Sequence, residues 1–151
     1  MTSTILAQSI YAFLATFGFT LIFRVPKKAI LLCSLVGGLG WMTYQVAFEY
    51  GLTHVMAIFL GACTVALLSD IFSKVLKDAA TIFIIPGIMP LVPGAGMYRM
   101  MLALIHNNMS GFASEATQTL MAAGAIAVGL LVMGSLIKIV RAAFKKIVSI
   151  A

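Results

Sequence analysis

Fifteen residues near the middle of the chain, Ile84–Tyr98 (IIPGIMPLVPGAGMY), hold three prolines and three glycines inside an otherwise apolar run. Proline removes a backbone donor and clashes with the preceding helical turn. Glycine admits conformations closed to other residues. Pro86, Gly87, Pro90, Pro93, Gly94 and Gly96 are therefore expected to break a helix here. Broken backbone at membrane depth is tolerated only where protein buries it or where it lines a watery cavity. Discontinuous helices are also how many transporters build substrate sites near the bilayer midplane. The stretch thus reads as the working part of a small membrane transport subunit.

Composition supplies the bilayer in this argument. The chain is 62% apolar and 9% charged, against about 45–50% and about 25% in soluble domains. At about 20 residues per transmembrane helix, a chain of 151 residues has room for roughly four to six spans and no separate soluble domain. The expected fold is an all-α integral membrane protein with about five transmembrane helices, the fourth broken by the Pro/Gly motif. It forms a single transmembrane domain over residues 1–151, with spans at 4–23, 29–48, 53–73, 79–105 and 116–137. A polar loop is expected at His106–Glu115, and a cytoplasmic tail over 138–151.

The net charge of +6 points to membrane anchoring rather than to nucleic acid, because the basic residues flank apolar runs in the manner of cytoplasmic loops. With the N-terminus outside, Arg24, Lys27, Lys28, Lys74, Lys77, Lys138, Arg141, Lys145 and Lys146 all fall inside, nine of the ten basic residues. Arg99 is the exception, and Glu49 and Glu115 fall outside. This arrangement needs an odd number of spans and a cytoplasmic C-terminus. A re-entrant fourth segment with four crossings would move the last basic cluster outside and ranks second. No basic residue precedes the first apolar run, as one does in a cleavable signal, so that run is expected to stay as the first helix.

Other features have bland readings. Gly37, Gly38 and Gly40 in the second span, and Ala123, Gly124, Ala127, Gly129 and Gly134 in the fifth, allow close helix packing, with a subunit interface as the alternative. Trp41, Tyr44 and Tyr50 lie towards the outer end of the second span, where aromatic belts belong, with a ligand-facing role as the alternative. Cys33 and Cys63 read as small buried residues. His54 and His106 read as wet residues at outer helix ends, and Thr43, Gln45, Thr117 and Gln118 as interhelical hydrogen-bonding groups. Asn108-Met109-Ser110 matches a glycosylation acceptor, a short pattern common by chance. No nucleotide-binding glycine loop, Ser/His nucleophile pair or metal-ligand spacing occurs in the sequence, which weighs against an enzyme and against a cofactor.

Three residues stand out chemically. Arg99 is either an arginine snorkelling to the outer headgroups or a guanidinium facing a cavity, since an intramembrane charge is by default a functional-site candidate. A half-helix beginning near Gly94–Met97 would aim its free amides and positive dipole end into the break. With Arg99 these groups make a carboxylate-binding site, to which Tyr98 can add a hydroxyl. Asp70 lies four residues from Lys74, a spacing that allows pairing at a helix end. Its alternative role is proton coupling, for which burial must raise its pKa.

The motif Ile84-Ile85-Pro86-Gly87-Ile88, then Pro90-Leu91-Val92-Pro93-Gly94 and Tyr98, resembles the threonine/serine exporter (ThrE) family, in its short YjjB-type membrane subunit. Chain length, a basic-ended apolar run before the motif and one closing helix fit the same layout. The resemblance implies a secondary exporter of small carboxylate metabolites in the bacterial inner membrane, either threonine and serine or a dicarboxylate such as succinate. It also implies a larger membrane subunit of the same family as partner, with self-association as the alternative. The rival reading from the residues is a non-transporting membrane scaffold, and a third is a passive channel.

Overall fold

A computed structural model describes residues 2–148. They form six helices: α1 (Thr2–Ile22), α2 (Lys27–Glu49), α3 (His54–Leu76), α4 (Thr81–Ile88), α5 (Gly94–Ile105) and α6 (Met109–Val148), with a single 3₁₀ turn, Met89–Leu91, after α4. The chain is an all-α membrane protein. Helices α1, α2, α3 and α6 are each long and apolar enough to cross a membrane, and α4 with its 3₁₀ turn joins α5 in a fifth candidate span bent by 50°.

Side-chain contacts fix the direction of each helix. Along α3 and α6, Ile58 packs with Ala122, Gly129 lies against Phe59 and Ala62, and Asp70 pairs with Arg141. The two sets of numbers rise together, so α3 and α6 are parallel. Val36 and Val65 both pack near Gly87, and Gly40 and Gly61 near Leu91. The α4 segment therefore climbs beside α2 and against α3. Gly96 meets Thr119 and Arg99 meets Glu115, so α5 and α6 form an antiparallel hairpin. The interrupted pair α4–α5 thus runs the length of the bundle once and does not return to its starting end. Arg24, Lys27, Lys28, Lys74, Lys77, Lys138 and Arg141 gather at one end, where Lys28 bridges to Asp78 at 2.9 Å. His54 and the hairpin occupy the other.

Small residues set the helix spacing, as expected where lipid removes the hydrophobic drive between helices. A Cβ on Gly61 would sit 3.0 Å from the Gly40 carbonyl oxygen, and one on Gly129 would sit 2.9 Å from that of Phe59. Gly124 and Gly134 have open space instead. The core forms three layers: Ala29, Cys33 and Phe83 at the basic end, Val36, Val65 and Leu91 in the middle, and Ile58, Ala122 and Ala125 at the far end.

The interruption is narrower than the motif. Helix α4 continues through Pro86 and Gly87 to Ile88. Pro86 has no N–H for the Ile82 carbonyl four residues back, and the Cys33 thiol from α2 donates to that carbonyl instead, at 3.4 Å. Gly87 provides room for Val36. The true break is at Val92–Pro93. Val92 is extended (φ −61°, ψ 128°), as a residue before proline prefers. Pro93, at φ −77° and ψ 57°, forms an inverse γ-turn closed by the Gly94 N–H on the Val92 carbonyl at 2.8 Å.

The last span also differs from expectation. Helix α6 begins at Met109 and runs to Val148, so most of the expected loop and tail is helical. The Asn108 side-chain oxygen accepts from the Gly111 N–H at 3.0 Å, an N-cap that starts the helix well before its apolar stretch. Residues 149–151 of the expected tail, and the side chains of Lys145 and Lys146, lie outside the described ones.

Candidate functional site

The break opens a cavity of about 290 Å³ at the end of the bundle opposite the basic residues. Its floor is the backbone from Pro90 to Gly96, and its walls carry Trp41 and Tyr44 of α2, His54 of α3, Arg99 of α5, and Glu115, Gln118 and Thr119 of α6. The first-turn N–H groups of Ala95 and Gly96 have no backbone acceptor, whereas those of Gly94 and Met97 bond Val92 and Pro93. Two free amides at a helix start favour an anion.

Arg99 stands over this helix start, and its Nε donates to Glu115 Oε2 at 3.0 Å. The pair is half-open, with side-chain exposures of 58% for Arg99 and 29% for Glu115. One cation and one anion therefore stand side by side on the cavity wall. Tyr44 Oη and His54 Nδ1 share a hydrogen bond of 3.1 Å on the facing wall. Of the residues that line the cavity, Trp41 and Thr119 each carry a polar atom, Nε1 and Oγ1, that is buried without a partner. Thr119 lies so close to Gly96 that a Cβ at that position would collide with its hydroxyl. The arrangement offers a carboxylate two amides and a guanidinium, and offers an ammonium group one carboxylate.

The residues singled out in the sequence separate into three places. Pro90, Pro93, Gly94, Gly96 and Arg99 line the cavity. Tyr98 does not: it is 68% exposed, because neighbouring helical residues point about 100° apart. Pro86 borders a different hollow between α4 and the α1–α2 turn, lined also by Phe23 and Arg24, and Gly87 is packed inside the bundle. Asp70 is at the basic end, paired with Lys74 at 3.0 Å and with Arg141, far along α3 from His54. Cys33 and Cys63 are buried and unbridged, and each thiol lies on a carbonyl of another helix. Among the described residues no group of three His, Cys, Asp or Glu side chains is placed to hold a metal.

Glu115 and Thr119 were not legible as site residues. Arg99 and Glu115 stand eight residues before and eight after Asn107, so folding a hairpin at that asparagine pairs them. Asn107 itself adopts the left-handed conformation at φ 55°, a turn role that asparagine tolerates.

An uncharacterized protein of Haemophilus influenzae is 26% identical over 140 residues, covering 87% of this chain and 47% of that protein. The chain thus spans about half the length of that relative. No solved structure matches. The family model described as threonine/serine exporter, ThrE, matches residues 8–136, a region that contains the break, the cavity and both partners of the Arg99–Glu115 pair; the chain belongs to the threonine/serine exporter ThrE family.

Proposed function

We propose that this chain is a membrane subunit of a secondary exporter of small amino acids such as threonine and serine, working with a larger membrane subunit of the same family. The observation that carries the reading is the Arg99–Glu115 pair, held at 3.0 Å in a cavity beside the free amides of Ala95 and Gly96. A zwitterion inserts its carboxylate towards Arg99 and the amides, and its ammonium towards Glu115. A dicarboxylate such as succinate would bring its second carboxylate towards Glu115, and like charges oppose that placement. The matched family supports export of threonine and serine. The relative of about twice the length supports a second half, supplied by a partner or by a second copy. In this reading the basic end faces the cytoplasm of a bacterial inner membrane, following the positive-inside rule, and the cavity opens near the outer face.

The test is efflux from intact cells preloaded with labelled threonine, serine or succinate, expressing the full chain alone and with larger subunits of the family. Threonine and serine efflux that needs both proteins, and is lost in Arg99→Ala at matched membrane abundance, is the expected result. Normal efflux by Arg99→Ala, or efflux of succinate alone, would sink the zwitterion reading. Efflux insensitive to collapse of the proton gradient would mark a passive channel.

A further inference from the structure

The hollow between α4 and the α1–α2 turn has a volume of about 350 Å³ and lies at the basic end, away from the cavity. Six of its eight lining residues are apolar, Phe23, Val25, Ile82 and Ile85 among them, and the other two are Arg24 and Thr81. Arg24 sits in the turn and Thr81 opens α4, so the polar mouth is level with the helix ends. Ile85 is four residues further along α4, about 6 Å deeper at 1.5 Å per residue. Phe23 and Ile85 are both exposed. In a membrane protein an exposed apolar hollow at this depth is filled by lipid or by another protein.

Charge favours the lipid. The two acids of the basic end are already taken, Asp78 by Lys28 and Asp70 by Lys74 and Arg141. Among the described residues Arg24 and Lys27 have no ion pair. The backbone of Arg24 is also unusual. It closes α1 in the left-handed conformation at φ 52°, with the Val25 N–H on the Thr20 carbonyl at 3.0 Å and its own N–H on the Leu21 carbonyl at 3.2 Å. That pattern is a Schellman motif, whose left-handed position glycine or asparagine usually fills. Asn107 fills the corresponding kind of turn at the other end of the bundle. An arginine bears a steric cost there, and an outlier of this kind points to a use for the side chain.

We infer that this hollow is a binding site for one anionic phospholipid, its phosphate at Arg24 and Thr81 and the upper part of an acyl chain along Phe23, Ile82 and Ile85. A guanidinium pairs with a phosphate through two parallel hydrogen bonds. Basic pockets between transmembrane helices hold anionic headgroups for this reason. A zwitterionic lipid would bring its own ammonium group to an end where cations already outnumber acids. A protein partner would have to cover Arg24 and supply an acid to it. The site stands apart from the export reading, because it uses none of the cavity residues.

The test offers the purified full chain equal amounts of phosphatidylglycerol and phosphatidylcholine with matched acyl chains, and counts the retained lipid by native mass spectrometry. Phosphatidylglycerol should be preferred at least about fivefold, the factor that one nearby cation contributes to anionic-lipid attraction. Arg24→Gly suits the left-handed turn, so it keeps the fold while removing the guanidinium, and the preference should drop about fivefold. Arg24→Lys should keep most of it. Ile85→Trp fills the hollow and should release the retained lipid with Arg24 still in place. If Ile85→Trp fails to insert, Arg24→Gly still decides. An unchanged preference in Arg24→Gly overturns the site. Displacement of the lipid by soluble glycerol 3-phosphate would mark a site for free anions and overturn the lipid assignment. Loss of the lipid whenever a larger membrane subunit copurifies would make the hollow a protein interface and overturn it as well. Each of these outcomes leaves the exporter reading where it stands.

Discussion

The Cys33 thiol on α2 donates to the Ile82 carbonyl on α4 at 3.4 Å, the same carbonyl that Pro86 leaves without its helical donor. A proline inside a membrane helix needs its freed carbonyl satisfied from elsewhere. Here a neighbouring helix does so, and α4 passes through Pro86 without breaking.

That relationship predicts a coupled pair. Cys33→Ala leaves a buried carbonyl unpaired and should destabilise the protein by about 1–3 kcal/mol. In a Pro86→Ala background residue 86 regains its N–H, so the same cysteine change should matter less. A double-mutant cycle on thermal unfolding of the purified protein checks this. Additive effects would mean that the thiol is only filler.

The two kinds of glycine on α6 should respond oppositely. Gly129→Ala places a Cβ 2.9 Å from the Phe59 carbonyl oxygen and from Ala62, which forces α3 and α6 apart at a typical cost of about 1–3 kcal/mol. Gly124→Ala meets nothing within 4 Å and should be neutral or stabilising by about 0.5–1 kcal/mol, as alanine is the better helix former. Thermal denaturation of the two variants side by side decides the point.

Loss of the cavity charges should separate function from folding. The Arg99–Glu115 pair is half exposed, so its own contribution to stability is at most about 1 kcal/mol. Arg99→Ala and Glu115→Gln should therefore insert normally. Their threonine export should fall by roughly 10- to 100-fold, the range for a lost charged hydrogen bond. Membrane abundance by immunoblot and initial efflux rates are the paired readouts, and unfolding of either variant would count against the assignment.

Asp70 ties α3 to α6 through Arg141 while also holding Lys74. Asp70→Asn should loosen that end of the bundle. The expected sign is protease sensitivity around Arg141 that rises in the variant, with a stability loss of about 1 kcal/mol or less. Unaltered proteolysis would show that the pair bears no strain-resisting role.

Much of this arrangement was readable in the residues. Long apolar runs separated by charged turns give away helices in lipid because a helix satisfies every backbone group within a single run. The Pro/Gly stretch marked the interruption, but not its place. The Ile82 carbonyl that Pro86 leaves free is satisfied by a thiol forty-nine positions from it, a contact no local rule contains, so only Val92–Pro93 breaks. His106–Glu115 reads as a loop by polarity, yet Asn108 caps a helix through it. The cavity charges were half legible. Arg99 stands out as a lone cation in an apolar segment, while Glu115 looks like an ordinary exposed acid until the Asn107 turn brings the two helices of the hairpin together. Thr119 carried no signal at all, because a threonine in an apolar helix looks the same whether or not it borders a cavity.

Helix α6, forty residues long, runs unbroken from the cavity to the basic end. At about 1.5 Å per residue, Glu115 and Arg141 stand some 39 Å apart along one rod. A tilt of about 10° around the middle would swing each end by roughly 3 Å in opposite senses. Gly129, pressed against the Phe59 carbonyl, sits near that middle as a pivot. One unbroken helix thus carries both the carboxylate of the cavity and the partner of Asp70 at the far surface.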